Sequence, residues 1–185
     1  MKAKINKVTI SIIQGNLYTT QVDGIVHATD PNLSLDPALV DIAGPFIEEQ
    51  TTRVAWCDVG SAIATDGGKL ENVQKILHTV GPRWGEGAER GKLANATWSC
   101  LQLAEEQELS SIAMPAISVG ALGYPLENCA TTMLTKIVDF TFEPVKHLRT
   151  IILCLLNEQQ LNVFRSEFER QLEALKEAGE GKVRA

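Results

Sequence analysis

Residues 111–127 read Ser-Ile-Ala-Met-Pro-Ala-Ile-Ser-Val-Gly-Ala-Leu-Gly-Tyr-Pro-Leu-Glu, and this stretch decides the fold. Its first four residues, Ser111–Met114, predict a short buried strand. Gly120 and Gly123 keep the following turn free of Cβ atoms, and Pro125 favours the first turn of a helix. The stretch therefore predicts a strand, a glycine-containing loop with exposed backbone, and the start of a helix.

A loop of this kind attracts anions, because exposed backbone N–H groups and the positive end of the helix dipole point in the same direction. Phosphate is the anion that we expect at the segment from Ser118 to Gly123. The alternative is a connection that needs its glycines only for steric reasons and binds nothing. The glycines alone leave both interpretations open.

Composition limits the domain organisation and the class of partner. The chain has 185 residues, of which 44% are hydrophobic, and this length predicts a single domain over residues 1–178. The glycine-containing segment 179–185 predicts a disordered tail. A net charge of -6 provides no basic surface for a phosphate backbone, so we expect no nucleic-acid partner. The longest apolar run, Ile151–Leu156, is too short to span a bilayer, so we expect no membrane segment.

The cysteines and histidines predict neither disulfides nor a metal site. The four cysteines form no CxxC pair and no signal peptide precedes them, so we expect reduced core thiols and a cytoplasmic location. The histidines lack metal-ligand spacing, so we expect no metal, and nothing in the sequence requires a cofactor. These residues are Cys57, Cys100, Cys129, Cys154, His27, His78 and His147.

Strand and helix patterns alternate along the chain and predict an α/β fold with a mixed sheet between helices. The predicted strands cover residues 7–14, 24–28, 61–65, 75–80, 111–114 and 150–155. The predicted helices cover residues 37–44, 45–55, 91–107 and 125–140, and a final apolar stripe runs from Leu161 to Leu175. Asp36 followed by Pro37 is typical of a helix N-cap.

Six ordered motifs resemble those of the macrodomain family, and they cover about Val8 to Leu172. They are Gln14-Gly15-Asn16-Leu17, Val22-Asp23-Gly24-Ile25-Val26-His27-Ala28-Thr29-Asp30, Ala43-Gly44, Gly60-Ser61-Ala62, Leu77-His78-Thr79-Val80-Gly81-Pro82 and Pro115-Ala116-Ile117-Ser118-Val119-Gly120-Ala121-Leu122-Gly123-Tyr124-Pro125. The resemblance implies a three-layer αβα fold with an ADP-ribose cleft at the strand ends. It also favours the phosphate interpretation of the glycine-containing loop.

The resemblance implies a set of ligand-binding residues. Asn16 and Leu17 are expected near adenine, and Asp30 near the distal ribose. The diphosphate is expected on backbone amides of the loop. The full expected set is Asn16, Leu17, Asp30, Ser118, Val119, Gly120, Ala121, Leu122, Gly123, Tyr124, Leu156 and Asn157.

Several positions depart from the usual macrodomain pattern. Asn16 stands where an aspartate usually accepts from the adenine amino group, and a neutral acceptor makes the weaker hydrogen bond. Asp30 replaces the amide that usually orients the distal ribose. Leucines occupy positions 122 and 156, where aromatic residues are usual, and the segment Leu33–Leu35 is about four residues shorter than the usual glycine-rich phosphate loop. Three further motifs are similar to the macrodomain of certain histone variants, a branch whose members bind rather than hydrolyse: Val26-His27-Ala28-Thr29, Pro82-Arg83-Trp84-Gly85 and Cys100-Leu101-Gln102-Leu103-Ala104.

Three functions remain open at this stage. The first is a reader or sensor that binds ADP-ribose or an ADP-ribosylated protein. The second is a hydrolase that removes ADP-ribosyl or acyl groups from ADP-ribose esters, with Asp36 orienting the attacking water. The third is a degenerate macrodomain without a nucleotide ligand, used for partner binding. The sequence leaves the oligomeric state open.

Overall fold

The computed structural model describes residues 1–185, which form eight strands and five α-helices. The strands are β1 (Lys2–Ile5), β2 (Val8–Gln14), β3 (Gly24–Thr29), β4 (Ala62–Asp66), β5 (Lys75–Val80), β6 (Ser111–Met114), β7 (Thr150–Leu155) and β8 (Val183–Arg184). The helices are α1 (Pro37–Ala43), α2 (Phe46–Val54), α3 (Glu89–Glu106), α4 (Leu126–Phe140) and α5 (Glu158–Ala178). None of the helices combines the length and the apolar character that crossing a membrane requires.

The strands form one mixed sheet in the order β4-β5-β3-β6-β7-β2-β1-β8. The five strands from β5 to β2 in this order pair in parallel. Antiparallel pairing is confined to β4 at one end and to β1 and β8 at the other. The carboxyl ends of the five parallel strands therefore meet at one edge, which is where α/β folds place their ligand sites.

Helices cover both faces of the sheet, and the predicted three-layer αβα architecture is confirmed. Adjacent strand residues point to opposite faces. Val26 of β3 belongs to the large cluster formed with α3, α4 and α5. Ile25, the preceding residue, belongs to the smaller cluster that contains Leu39 of α1 and Ile47 of α2. The core therefore has a part on each side of the sheet, and a third, small cluster contains Leu33, Cys57 and Val80.

Most predicted elements are present, and β6 and β7 have the predicted bounds. The sequence interpretation omitted β1, and α3 begins at Glu89 rather than at residue 91. Where the sequence predicts a disordered tail, the structure has β8, which pairs with β1. Asn6 accounts for this difference because its backbone N–H donates to the Lys182 carbonyl at 2.9 Å and its Oδ1 accepts from the Lys182 N–H at 3.0 Å.

All four cysteines are free and buried, in agreement with the prediction of core thiols. Burial raises the pKa of the Cys100 and Cys129 thiols to about 12. A thiol with such a raised pKa is almost entirely protonated at neutral pH and is therefore a poor nucleophile.

The turn between β4 and β5 predicts a sharp difference between two glycine substitutions. A Cβ at Gly67 would lie 1.9 Å from the Val73 carbonyl oxygen, whereas a Cβ at Gly91, within α3, would meet no atom within 4 Å. We expect Gly67→Ala to lower the free energy of unfolding by about 2 kcal/mol or more, because backbone must move. Gly91→Ala should raise it by up to about 1 kcal/mol through better helix propensity. Urea unfolding measures the free energy of unfolding of both variants. Equal changes in the two variants would contradict the geometry of the turn at Gly67.

Candidate functional site

A cavity of about 610 Å³ opens at the carboxyl edge of the sheet. Its walls come from the loops that follow β2, β3, β5 and β6. This volume lies within the usual range for small-molecule sites. The cavity therefore occupies the place that the strand order predicts for a ligand.

The loop after β6 presents free backbone donors to this cavity. Tyr124 N–H donates to the Ser118 carbonyl at 2.9 Å, and Gly123 N–H donates to the Gly120 carbonyl at 3.0 Å. The five amides from Ser118 to Leu122 have no acceptor within the protein. Four of these five residues line the cavity, Val119 being the exception. Hydrogen bonds thus connect the two ends of the loop, and its unsatisfied N–H groups form a suitable binding site for an anion.

The two glycines of the loop have different roles. Gly123 has a φ of +74°, a left-handed conformation that favours glycine. Gly120 lies outside that region, and a Cβ built on it would meet no protein atom within 4 Å. Neither backbone conformation nor protein packing therefore requires glycine at position 120. The missing Cβ leaves space beside the free amides.

Ser118 adds an unpartnered polar atom to the same loop. The residue is 7% exposed, and its Oγ is the one buried side-chain oxygen or nitrogen without a hydrogen-bond partner. Ser118 also has a φ of +68°, which is unusual for a residue other than glycine. Gly81 permits this packing, because a Cβ there would lie 2.2 Å from the Ser118 Oγ. An unsatisfied buried hydroxyl is unfavourable and often marks a functional position.

The charged groups on the cavity wall are mostly acidic. Asp30, Asp36 and Glu86 contribute carboxylates, whereas Arg83 contributes the one guanidinium among the lining residues. Arg83 forms no salt bridge in the structure. An anionic ligand can therefore use the backbone amides and this one free cation.

Asp30 is engaged by its own loop. Its Oδ1 accepts from the N–H groups of Asn32 at 2.9 Å and Ser34 at 3.3 Å. Hydrogen bonding from the Ser34 side chain is the main cause of a lowered pKa for the Asp30 carboxyl. Asp30 thus lines the cavity as a carboxylate that also holds the short 31–34 turn.

Asp36 has both a structural contact and access to the cavity. Its Oδ1 accepts from the Ala38 N–H at 3.0 Å, which is the predicted N-cap bond of α1. Its Oδ2 accepts from the Tyr18 hydroxyl at 2.7 Å. Both Tyr18 and Asp36 line the cavity. The N-cap and ligand-facing interpretations of Asp36 are therefore compatible.

A chain of hydrogen bonds leads from Asp36 into the sheet. The Asp36 N–H donates to His27 Nε2 at 3.4 Å, and the Nδ1 atoms of His27 and His78 lie 3.0 Å apart. His78 Nε2 lies 2.9 Å from the Thr65 hydroxyl, which itself donates to the Asp66 carbonyl. Each ring must therefore accept one bond and donate one, and both imidazoles are neutral in this arrangement.

Burial lowers the pKa values of both histidines. The pKa of His27 is below its usual value, mainly because the ring is buried, and that of His78 falls to about 3 through burial and the neighbouring His27. The carboxylates of Asp36 and Asp30 act on His27 in the opposite direction. The uncharged pair is therefore maintained at neutral pH.

The structure brings together seven of the thirteen residues that the sequence predicted for the site. Leu17, Asp30, Asp36, Ser118, Gly120, Ala121 and Leu122 line the cavity, whereas Asn16, Val119, Gly123, Tyr124, Leu156 and Asn157 do not. Two of the latter are helix caps: Asn16 Oδ1 accepts from the Tyr18 N–H, and Asn157 Oδ1 accepts from the Gln160 N–H. Leu156 is 79% exposed.

Sequence reasoning did not assign Tyr18, His27 and Arg83 to the ligand site. Tyr18 follows Leu17 directly, and that adjacency was the available signal. His27 lies within β3 and Arg83 lies in the loop after β5, but nothing in their local sequence indicates that these two elements meet at one cavity. No group of three or more His, Cys, Asp or Glu side chains is arranged to hold a metal ion.

The profile of the Macro domain family matches residues 26–133, which is more than half of the chain. The chain belongs to the macrodomain family. A Sulfurisphaera tokodaii protein of uncharacterised function is 37% identical over 172 residues, covering 88% of this macrodomain and 92% of that protein. An O-acetyl-ADP-ribose deacetylase of Salmonella gallinarum is 37% identical over 141 residues, covering 71% of this chain and 78% of that enzyme.

Solved macrodomain structures share the fold over almost the whole chain. The Oceanobacillus iheyensis macrodomain with ADP has a TM-score of 0.87 and 28% identity, covering 94% of this chain and 97% of that one. A mutant of the same protein with ADPR has a TM-score of 0.83 and 27% identity, covering 94% of this chain and 98% of that one. The family prediction is thus confirmed, while the likeness to histone-variant macrodomains stays a prediction.

The neutral histidine pair predicts a loss of stability in acid. Below pH 6.5 the unfolded chain binds a proton at His78, whereas the folded chain does so only near pH 3. The free energy of unfolding should therefore fall by roughly 1 kcal/mol per pH unit for this group between those values. Urea unfolding at pH 7 and pH 4.5 should show a smaller difference for His78→Gln than for wild type. Gly91→Ala, which changes no titratable group, should retain the wild-type difference, and an equal difference in all three proteins would contradict the arrangement.

Proposed function

We propose that this macrodomain binds ADP-ribose or a related ADP-ribosyl nucleotide and acts as a reader or sensor. The observation that carries this proposal is the row of free amides from Ser118 to Leu122 beside the open space at Gly120. A diphosphate offers several oxygens with negative charge to successive N–H donors, and hydrogen bonds to a charged acceptor are the stronger kind. The ADP and ADPR bound by related macrodomains support the same assignment.

The remaining contacts follow from the walls of the cavity. We propose that Arg83 contributes the side-chain cation for the diphosphate and that Leu17 contacts adenine. Asp30 and Leu122 lie on the wall proposed for the distal ribose. Asn16, Val119, Gly123, Tyr124, Leu156 and Asn157 remain proposed contacts, although they lie outside the cavity wall of the free protein.

An ADP-ribosylated protein is the partner that a reader would recognise through this cleft. The four free, buried thiols support a reducing, cytoplasmic location. The partner and the location are both parts of this proposal.

Calorimetric titration tests the proposed ligand. ADP-ribose should bind at micromolar concentration, whereas adenosine, which lacks the diphosphate and the distal ribose, should bind at least about a hundredfold more weakly. Gly120→Val should leave the free energy of unfolding within about 0.5 kcal/mol of wild type, because no protein atom lies near that position. The same variant should weaken ADP-ribose binding more than about tenfold by filling the space beside the amides.

Two results would contradict this account. No heat with ADP-ribose would favour a degenerate macrodomain that binds only a partner. Equal affinity for adenosine and ADP-ribose would show that the diphosphate is not recognised. Gly91→Ala, in the exposed part of α3, serves as the glycine control and should bind ADP-ribose like wild type.

A second function, hydrolysis of ADP-ribosyl esters, is favoured by the position of Asp36. Its carboxylate lines the same cavity as the free amides, so it can orient a water against an ester bound there. The deacetylase from Salmonella gallinarum supports this class of substrate. The structure does not need catalysis to explain Asp36, because the N-cap bond to Ala38 already does so.

A turnover assay separates the reader from the hydrolase. If Asp36 orients water, the wild-type protein should hydrolyse O-acetyl-ADP-ribose or an ADP-ribosylated peptide, and Asp36→Ser should lose at least about a hundredfold in kcat. Serine preserves an N-cap oxygen, so the fold is retained. Binding without turnover in the wild-type protein would leave the reader function and exclude the hydrolase.

A further inference from the structure

The loops that carry Tyr18 and Asp36 follow strands that are not neighbours. β6 and β7 lie between β3 and β2 in the sheet. With about 4.8 Å between adjacent strands, β2 and β3 are about 14 Å apart. The Tyr18 hydroxyl nevertheless donates to Asp36 Oδ2 at 2.7 Å. This one bond therefore joins loops that begin on opposite sides of β6 and β7.

The cavity lies between the same two loops. Tyr18 and Asp36 both line it, and the free-amide loop 118–122 follows β6, one of the two intervening strands. No other hydrogen bond connects the 16–20 segment with the 30–36 segment. The Tyr18–Asp36 bond is thus a bridge between two walls of the cleft.

The Asp36 end of this bridge is fixed. Its second carboxylate oxygen accepts from the Ala38 N–H, and its backbone N–H donates to His27. The Tyr18 end is half-buried and packs against the cluster that contains Leu39 and Ile47. It belongs to the short 3-10 helix Leu17–Thr19, in which no residue is fully buried. Asp36 is thus held by two further hydrogen bonds, whereas the Tyr18 hydroxyl has only the bond to Asp36.

The donor and acceptor roles are also fixed at neutral pH. Burial, followed by the hydrogen bond and the negative charge of Asp36, raises the pKa of the Tyr18 hydroxyl well above its usual value. The hydroxyl therefore remains a donor over the physiological pH range. The bond does not depend on titration near neutrality, and its role must lie elsewhere.

We propose that Tyr18 and Asp36 form a clasp that controls the entry and release of the nucleotide, with Tyr18 as a positioning residue. The inference rests on the proposed function, because the cleft must take a ligand for the clasp to act on it. The bond opens to admit the nucleotide and forms again beside it. An exposed hydrogen bond to a carboxylate should slow both steps by about tenfold.

This role differs from direct contact with the ligand. A hydroxyl that binds the nucleotide stabilises only the complex, so its removal raises the dissociation rate and weakens affinity by the same factor. A clasp is present in the free protein and in the complex. Its removal therefore raises the association and dissociation rates together and leaves the dissociation constant almost unchanged.

Lineshape analysis of ¹⁵N-labelled protein titrated with ADP-ribose measures both rate constants. Tyr18→Phe retains the ring and should raise kon and koff about fivefold to tenfold, with less than about a twofold change in Kd. Asp36→Ser retains an N-cap oxygen, but the serine side chain is too short to reach Tyr18. It should therefore raise kon and koff by the same factor as Tyr18→Phe. The double variant should show no further increase in kon or koff, because both changes break the same bond.

Thr52→Val is the control variant. It removes an exposed hydrogen bond from the Thr52 hydroxyl on α2, and it should bind ADP-ribose with wild-type rate constants.

Amide hydrogen exchange in the ligand-free protein provides a second readout. Tyr18→Phe should speed exchange at least about threefold in the 16–20 segment relative to Thr52→Val. Unchanged exchange in Tyr18→Phe would overturn the clasp, even if wild type bound no ADP-ribose and the proposed function failed. With binding intact, unchanged rate constants in Tyr18→Phe would also overturn it. So would a weaker affinity at constant kon, since the hydroxyl would then contact the ligand directly.

Discussion

Five consecutive backbone N–H groups, from Ser118 to Leu122, find no acceptor within the protein. Gly120 and Ala121 are exposed, so solvent can reach their N–H groups, and hydrogen bonds at the base of the loop fix the shape that leaves all five groups unpaired within the protein. The Tyr124 amide bonds the Ser118 carbonyl, and the Trp84 amide bonds the Leu122 carbonyl at 2.9 Å. The proposed function depends on these five N–H groups being free to bind a ligand.

The sheet places this loop where other groups can assist it. Because β6 lies between β3 and β7, the loops after β3 and β5 stand on one side of it, and the loop after β2 stands on the other. Arg83 and Asp36 lie in the loops after β5 and β3, and Tyr18 lies in the loop after β2, on the opposite side. Parallel pairing is what directs all these connections to the same edge. The acidic character of the wall makes the neutral amides and the single guanidinium the anion-binding groups.

The sequence predicted features that depend on neighbouring residues. The bounds of β6 and β7, the Asp36 cap and the exposed loop all follow from local patterns, and the motif order indicated the family. Tyr18–Asp36 pairing depends on strand order, which no local pattern encodes. Asn16 and Asn157 were assigned to the ligand from the resemblance, and that role stays a prediction, while the structure adds that both side chains cap helices, a position that asparagine favours. β8 depends on Asn6, which is distant in sequence.

A crystal structure of the complex with ADP-ribose tests the central claim most directly. The measured quantity is the distance from each diphosphate oxygen to the amide nitrogens of residues 118–122. The account predicts at least three such contacts at about 2.7–3.2 Å, with the Gly120 Cα close to the ligand. A diphosphate bound elsewhere, with these amides still facing solvent or paired within the protein, would contradict it.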